Sequence, residues 1–381
     1  MVDFRLTEPQ EELRRVAREF AQKEIAPVAM HYDKTGEFPW EIYRKAHGIG
    51  LMNTTVPADY GGGGLGTLEC CLITEELGAG CAGITTSIMV NELALMPILV
   101  AGSEEQKRTF LTPFCSSFNM GAFCLTEPGA GSDVAAMSTT AKLDGDSYIL
   151  NGTKTFITNG SVASLYTVFA TRDKNQRHKG VAGFIVPADS PGISHGKKFE
   201  KMGQRASDTA EVIFEAVRVP RANLLGHEDE GFKIAMVTLD RTRPMIAAMS
   251  VGLARAAMEA AMQYAKERET FGTPIGNHQA VQLMLADMAK DTEAARLLTW
   301  QCAWLIDEGA RATKESSFAK CFATDIAMQV TTDAVQIFGG YGYMKDLPLE
   351  KYMRDAKLMQ IYEGTNQIQR LVIARHLLGW T

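Results

Sequence analysis

The stretch SYILNGTKTFITNG, residues 147–160, decides the fold because the character of the sequence changes there. β-Branched and aromatic residues form short runs, and clusters of glycine, asparagine or proline separate them. Three similar runs follow: SLYTVFATRD, GVAGFIVPAD and TAEVIFEAVRVP. Together they predict an antiparallel β domain over residues 121–230. The pair Asn151-Gly152 is expected to form a hairpin turn, since both residues tolerate positive φ.

Helical patterns flank this β region. The sequence TEPQ at residues 7–10 offers an N-cap threonine, a proline in the first turn and a glutamine three residues on. Long alanine-rich amphipathic stretches return later, such as HQAVQLMLADMAKDTEAARLLTWQCAWLIDEGA, and indicate a helical bundle. The sequence therefore predicts an α+β multidomain protein with an N-terminal helical domain at residues 1–120, the β domain, and a C-terminal helical bundle at residues 231–381.

Composition excludes several classes of protein. The 381 residues are 46% hydrophobic and 22% charged, which is typical of soluble globular chains, and no membrane span is expected. With 39 basic and 45 acidic residues the net charge is −6, so the broad positive field of a nucleic-acid-binding protein is absent. The seven cysteines lack C-x-x-C spacing and the histidines lack metal-ligand spacing. These features, with an N-terminus that lacks an apolar signal core, favour a cytoplasmic protein with reduced thiols and no metal.

Two segments of the β region carry candidate ligand contacts. FCLTEPGAGSDVA, residues 123–135, combines glycines and a proline with hydroxyl side chains, so its backbone can approach a flat or phosphorylated ligand. A plain glycine-rich turn is the alternative. In KTFITNG, residues 154–160, Phe156 and Thr158 share one face of a predicted strand and could flank a ring. Core packing of Phe156 is the alternative there.

Four segments of the helical region carry charges or glycines at helix ends. DRTRP, residues 240–244, places three charges in an apolar helix, which suits an ion pair or a ligand. ERETFG, residues 267–272, and QIFGGYGY, residues 336–343, suit either an anion or ordinary capping. In IYEGTNQIQR, residues 361–370, Glu363 precedes a helix that Thr365 can cap. Glu363 is therefore a solvated charge, a partner of the helix dipole, or a catalytic base.

The six motifs LTEPGAGSD, KTFITNG, DRTRP, ERETFG, QIFGGYGY and IYEGTNQIQRL, in this order over the whole chain, resemble those of the acyl-CoA dehydrogenase family, especially its short- and medium-chain members. The resemblance implies an N-terminal helical domain, a central β domain and a C-terminal four-helix bundle, usually in a homotetramer, with FAD between the β domain and the bundle. It also implies oxidation of an acyl-CoA to the trans-2-enoyl-CoA, with electrons passed to an electron-transfer flavoprotein.

The resemblance also implies three sets of cofactor contacts. One set would line the flavin and the bound thioester: Phe123, Leu125, Thr126, Gly131, Ser132, Phe156, Ile157 and Thr158. A neighbouring subunit would offer a second set to the FAD pyrophosphate and adenosine: Arg268, Thr270, Phe271, Gln279, Gln336, Gly339 and Gly340. Thr365 and Gln367 would complete the dinucleotide contacts. The site would then require at least a dimer.

Glu363 corresponds in this resemblance to the catalytic base, which removes the α-proton while the β-hydrogen leaves as hydride to flavin N5. Its backbone N–H and a flavin ribityl hydroxyl would polarise the thioester carbonyl. Some relatives carry the base at the position of Thr242. Threonine has no carboxylate, so its presence here strengthens the assignment of Glu363 as the base. The implied substrate contacts are Met89, Leu95, Ser132, Asp240, Arg243, Tyr362 and Gly364.

Several functions remain open at this stage. Straight short- or medium-chain acyl-CoA is the expected substrate, and a branched or alicyclic acyl group is an alternative. The same scaffold also serves acyl-CoA oxidases and enoyl-CoA reductases. A catalytically silent acyl-CoA-binding subunit is the non-enzymatic alternative, against which the intact Glu363 and flavin motifs argue.

Overall fold

Helices form the first part of the chain in the computed structural model, which describes residues 4–380. The predicted cap is confirmed, because Thr7 and Gln10 form a reciprocal capping box. Two π-helical segments, Ala21–Ile25 and Lys107–Leu111, interrupt the helices. The α-helices of this part are α1 Glu8–Phe20, α2 Ala26–Thr35, α3 Trp40–Gly48, α4 Thr67–Gly80, α5 Ala82–Ala101, α6 Glu104–Gln106 and α7 Thr112–Ser116.

An eight-stranded sheet follows, in the spatial order β6-β7-β3-β2-β4-β5-β8, with β1 beside β4. The sheet is mainly antiparallel, as predicted, but β4 runs parallel to both β1 and β2. Its parallel pairing with β1 is reached through a long connection that contains the β2–β3 hairpin. The strands are β1 Gly121–Cys124, β2 Thr140–Asp144, β3 Ser147–Thr158, β4 Leu165–Thr171, β5 Val181–Pro187, β6 Ile193–Lys198, β7 Thr209–Pro220 and β8 Leu224–Leu225.

The predicted turn at Asn151-Gly152 is wrong. Both residues lie inside β3, where the register against β7 shifts in a bulge. A Cβ on residue 152 would lie 2.4 Å from the Thr139 Oγ1, so the glycine serves a close approach of chains. The hairpin turns instead at Gly145, whose φ is +59°.

Helices return after the sheet, and the predicted fold class is confirmed. The long helix α10 packs against α8 and α9, and the shorter α12 and α13 pack against α10. A small hairpin of β9 and β10 separates α8 from α9. The elements are α8 Gly231–Glu267, β9 Glu269–Thr270, β10 Thr273–Pro274, α9 Gln279–Asp307, α10 Thr313–Phe338, α11 Gly340–Tyr343, α12 Leu349–Met359 and α13 Asn366–Leu378.

Two helices, α5 and α8, are long and apolar enough by length and composition to cross a membrane, although the sequence predicts no membrane span. In both helices most of the apolar window is buried inside the protein, 83% for α5 and 67% for α8. The buried core helices of soluble proteins can be equally long and apolar. The apolar length of α5 and α8 is thus explained by packing against the other helices and the sheet.

A buried ion pair fixes the loop after β1 to strand β3. The Lys154 Nζ lies 2.7 Å from the Glu127 carboxylate, and both side chains are almost completely buried. Glu127 also accepts hydrogen bonds from the backbone N–H groups of Ser138 and Thr139. Burial raises the pKa of Glu127, but the Lys154 charge and the hydrogen bonds outweigh it and hold the pKa at about 2.

We predict that Lys154→Met destabilises the protein strongly, because it leaves the Glu127 carboxylate buried without its cation. The expected loss in the free energy of unfolding is about 3–5 kcal/mol. Arg177→Met is the matched control, since it breaks a pair with Asp133 in which both side chains are about 60% exposed. That loss should stay below about 1 kcal/mol. Urea denaturation at pH 7 measures both, and equal losses would contradict the prediction.

Candidate active site

A cavity of about 210 Å³ lies where α5, the loop after β1, the end of β3, α8 and the segment before α13 meet. It brings together residues that are far apart in the sequence and that belong to all three parts of the fold. Most of the predicted flavin and substrate residues line it, namely Met89, Phe123, Leu125, Thr126, Gly131, Ser132, Phe156, Ile157, Thr158, Arg243, Tyr362, Glu363 and Gly364.

Glu363 lines this cavity, and a neighbouring hydroxyl orients its carboxylate. The Thr242 Oγ1 donates a hydrogen bond to the Glu363 Oε2 at 2.9 Å. Thr242, at the alternative base position that the resemblance implies, therefore faces the same carboxylate from α8. The Arg243 Nε donates to the Glu363 backbone oxygen at 3.1 Å. Adjacent residues of α8 thus hold both the side chain and the main chain of Glu363.

The pKa of Glu363 is raised from 4.5 to about 7. Burial is the main cause, because it disfavours the charged form, and the Thr242 hydrogen bond and the charges of Arg243 and Lys320 oppose it. One side of the residue stays accessible through the cavity. Glu363 therefore combines an open face with a proton affinity suited to proton transfer near neutral pH.

The backbone at Glu363 and Gly364 is left-handed at both residues, with φ values of +51° and +90°. A Cβ on residue 364 would lie 2.6 Å from the Gln369 Nε2, so glycine fits both the φ value and the space. No backbone carbonyl among the described residues accepts the Glu363 N–H. The predicted cap is confirmed, because Thr365 accepts a hydrogen bond from the Ile368 N–H at 3.2 Å and begins α13.

Phe156 is not a core residue, so the alternative of core packing is wrong. Its side chain is 62% exposed and its φ is +56°. The register of β3 against β7 shifts between Lys154 and Ile157, and this bulge breaks the alternation of side chains. As a result, the three consecutive residues 156–158 all line the cavity.

A second cavity, of about 420 Å³, holds part of the set predicted for a neighbouring subunit. Arg268, Thr270, Gly339 and Gly340 line it, beside the stacked rings of Tyr264 and Phe338. It shares no lining residue with the first cavity. Within one chain, the residues predicted to contact the flavin and those predicted to contact the FAD of a neighbouring subunit therefore lie at two separate cavities.

The remaining residues of that set lie near the second cavity without lining it. Phe271 is 98% exposed at the tip of the β9–β10 hairpin. Gln279 is the first residue of α9, and Gln336 lies in the last turn of α10. Gln367, from the C-terminal set, is exposed on α13.

Two predicted substrate residues do not line the first cavity. Leu95 is fully buried in the apolar core, and Asp240 accepts hydrogen bonds from the Arg243 Nη1 at 2.8 Å and the Thr313 Oγ1 at 2.6 Å. The reason for Leu95 is helical geometry. The cavity-lining residues of α5 fall at positions 86, 89, 90 and 93, which form one helical face.

Sequence reasoning missed several lining residues. On α5 they are Thr86, Val90 and Leu93, and on α8 they are Met236, Leu239 and Ile246. Each group lies at helical spacing from a residue that the sequence did predict, which is Met89 on α5 and Arg243 on α8. Extending the period from those two residues would have found them. Val134 and Ile368 also line the cavity, and they follow no such pattern.

Models of one protein family match nearly the whole chain. The N-terminal domain of acyl-CoA dehydrogenase matches residues 7–117, the middle domain residues 122–217 and the C-terminal domain residues 229–378. The chain belongs to the acyl-CoA dehydrogenase family. It is 47% identical over 380 residues to the Bacillus subtilis protein named Probable acyl-CoA dehydrogenase YngJ, covering 99% of this chain and 100% of that protein.

Other acyl-CoA dehydrogenases are similar over their full length. The mitochondrial short-chain specific enzyme of Rattus norvegicus is 47% identical over 374 residues, which are 98% of this chain and 91% of that enzyme. The solved structure of butyryl-CoA dehydrogenase from Megasphaera elsdenii is 42% identical, with a TM-score of 0.97, and the match covers 99% of this chain and 100% of that one. The protein is accordingly an FAD-dependent acyl-CoA dehydrogenase flavoprotein.

The cavity fits a flavin by its chemistry. Thr126, Ser132 and Thr158 present hydroxyl groups, Phe156 presents an exposed aromatic face, and a Cβ at Gly131 would meet no atom within 4 Å. An isoalloxazine ring needs this combination of hydrogen-bond partners and open flat space. Among the described residues no group of three or more His, Cys, Asp or Glu side chains could hold a metal ion.

We predict that Glu363→Gln stabilises the purified flavoprotein at pH 8 but not at pH 4. Folding raises the pKa of Glu363 from 4.5 to about 7. The folded state therefore binds an additional proton between those values, and its stability falls as pH rises through them. The melting temperature should exceed that of the wild type only at pH 8. Glu259→Gln, at an exposed position of α8, is the control, and an equal difference at both pH values would contradict the prediction.

Proposed function

We propose that the protein removes the α-proton of a short-chain acyl-CoA with Glu363 as the base, forming the trans-2-enoyl-CoA. The observation that carries this proposal is Glu363, which lines the same cavity as the residues suited to the flavin and whose carboxyl pKa is raised to about 7. An ordinary glutamate is too weak a base for a carbon acid, and burial removes that disadvantage.

The main chain at Glu363 suits the second task, which is to make the α-proton acidic. Among the described residues no backbone carbonyl accepts the Glu363 N–H, and Gly364 adopts the left-handed φ of +90° that follows it. A donor aimed at the thioester oxygen stabilises the developing negative charge by about 2.7–4 kcal/mol. FAD, when bound, accepts the β-hydrogen as hydride.

The surrounding side chains orient the base and exclude water. Thr242 fixes one carboxylate oxygen of Glu363, and Arg243 fixes its carbonyl. Apolar side chains of α5 and α8, among them Met89 and Ile246, line the cavity and keep the carboxylate poorly hydrated. The apolar lining thus sustains the raised pKa of Glu363 on which the proton transfer depends.

The lining of the cavity suits an apolar acyl group, since Val90, Leu93, Met236 and Leu239 line it with apolar surface. Similar proteins support a short straight acyl group, since they include a short-chain specific enzyme and a butyryl-CoA dehydrogenase. Branched or alicyclic acyl groups are the alternatives that a substrate panel must test.

We propose an electron-transfer flavoprotein as the electron acceptor. A chain 49% identical to this one, with a TM-score of 0.97, occurs in a solved structure described as an electron transferring flavoprotein of Acidaminococcus fermentans, and the match covers 99% of this chain and 100% of that chain. We also propose a cytoplasmic location, which the seven free and buried cysteines support.

We propose a homotetramer in which a neighbouring subunit supplies the second set of FAD contacts. The two cavities share no residue, and the second one opens beside the exposed Phe271 and Tyr343. Exposed Leu371, Leu377 and Trp380 near the C-terminus offer further apolar surface for subunit contacts.

An anaerobic titration of the purified protein tests the proposed reaction. Straight, branched and cyclic acyl-CoAs are added while the flavin absorbance is followed. We expect bleaching with short straight chains, followed by reoxidation when an electron-transfer flavoprotein is added. Bleaching with none of the acyl-CoAs would reject the dehydrogenase reaction, and a preference for branched or cyclic groups would reject the substrate.

We predict that Glu363→Gln stays yellow and binds acyl-CoA but does not bleach. The glutamine keeps the shape of the side chain and cannot accept the α-proton. Glu259→Gln, the exposed control on α8, should bleach like the wild type. Normal bleaching of Glu363→Gln would reject Glu363 as the base.

We predict that Arg268→Ala loses FAD from the assembled oligomer, because the guanidinium that we assign to the pyrophosphate is removed. FAD retention after dilution and gel filtration measures this effect. Arg177→Ala, at an exposed position of the β domain, is the control. Equal retention in both variants would count against the contact across subunits.

A further inference from the structure

A buried lysine, Lys320, lies behind the Glu363 loop in the first half of α10. Its Nζ donates hydrogen bonds to the Gly364 backbone oxygen and to the Asn366 Oδ1, each at 2.9 Å. Both acceptors are uncharged, so the cost of burying this ammonium is not repaid by an ion pair at its hydrogen-bond partners. Neither the flavin contacts nor the substrate contacts assigned above include Lys320.

The carbonyl groups of the two left-handed residues are each held by a cation and an amide. The Glu363 oxygen accepts from the Arg243 Nε and the Gln369 Nε2, and the Gly364 oxygen accepts from Lys320 and the same Gln369 amide. A left-handed conformation is unfavourable for a residue with a side chain, by about 1–3 kcal/mol. These hydrogen bonds keep the loop in the conformation in which Glu363 lines the cavity.

The second acceptor of Lys320 is itself fixed in place. Asn366 begins α13, and its Nδ2 donates to the Thr324 Oγ1 at 2.8 Å and to the Asp325 Oδ1 at 2.7 Å. Asp325 in turn pairs with Arg370 at 2.7 Å. The ammonium of Lys320 thus lies between a rigid helix start and the Gly364 carbonyl.

We propose that Lys320 is a positioning residue for the α-proton base: it holds the Gly364 carbonyl so that the Glu363 carboxylate faces the cavity. This inference rests on the proposed role of Glu363. Lys320 touches neither the substrate nor the cofactor in this proposal, and it acts through the loop.

The charged groups around Lys320 and Glu363 agree with this role. Burial lowers the pKa of Lys320 to about 7, and the Glu363 charge is the largest effect that opposes it. Arg243, from α8, lowers the pKa of both groups, while Cys321 and Asp325, on the same helix as the lysine, raise that of Lys320. Asp240 faces Arg243 and is paired with it. Lys320 and Arg243 are therefore the two cations that act on Glu363.

The variant Lys320→Met removes the charge and the donors and keeps a long side chain. It should fold, because the Gly364 oxygen keeps the Gln369 donor and the Asn366 Oδ1 keeps the Thr324 hydroxyl. We expect the acidic limb of the pH profile for flavin bleaching to move upward by about one pH unit. We also expect the plateau rate to fall at least about tenfold, because the carboxylate is less well aimed.

Two further variants separate the effects. Lys320→Arg keeps the charge but changes the hydrogen-bond geometry, so its acidic limb should match the wild type while its plateau rate stays low. Lys290→Met removes an exposed lysine of α9 and should match the wild type throughout. Hydrogen–deuterium exchange of the segment 360–366, which requires no turnover, should be at least about threefold faster in Lys320→Met than in the wild type, and unchanged in Lys290→Met.

The inference is overturned if Lys320→Met keeps the wild-type acidic limb, or if its exchange in segment 360–366 is unchanged. It is also overturned if Lys290→Met shifts the limb equally. If none of the acyl-CoAs bleaches the flavin of the wild-type protein, the proposed function is rejected instead. In that case the exchange measurement still reports whether Lys320 holds the loop.

Discussion

On the proposed assignment, the site must bury the carboxylate of Glu363 and still let it exchange a proton. Burial alone would keep Glu363 protonated, and full hydration would make it a weak base. The chain resolves this conflict by pointing one face of the residue into a cavity and holding the other side with Thr242, Arg243 and the Lys320–Gly364 hydrogen bond. No single domain supplies these surfaces, so α5, the β domain and the C-terminal helices must meet at this place.

Gln204 shows how that meeting point is fixed. It is fully buried, with a φ of +49°, in the segment between β6 and β7. Its Oε1 accepts from Thr86 of α5 at 2.7 Å, and its Nε2 donates to the backbone of Asp355 in α12 at 3.1 Å and reaches the Tyr362 hydroxyl at 3.5 Å. Thr86 and Tyr362 line the cavity, so one side chain of the β domain ties together walls from both helical parts.

Local signals in the sequence predicted the order of helices, strands and helices, the caps at Thr7 and Thr365, and the candidate residue Glu363. They failed where the outcome depends on a partner strand. Asn151-Gly152 tolerates positive φ in a bulge as well as in a turn, and pairing with β7 decides between them. Phe156 leaves the core for the same reason. The position of Lys320 could not be predicted, because only the packing of α10 brings it to Gly364, 44 residues later.

The charges around Glu363 also suit a proton transfer that moves negative charge rather than creating it. Arg243 and Lys320 are the cations, and Asp240 and the Glu363 carboxylate are the anions. On the proposed assignment, proton transfer neutralises Glu363 while the substrate carbonyl gains negative charge beside the Glu363 N–H. The two cations then stabilise the charge at its new position. Since the surrounding dipoles and cations are fixed before the reaction, little reorganisation is required when the charge moves.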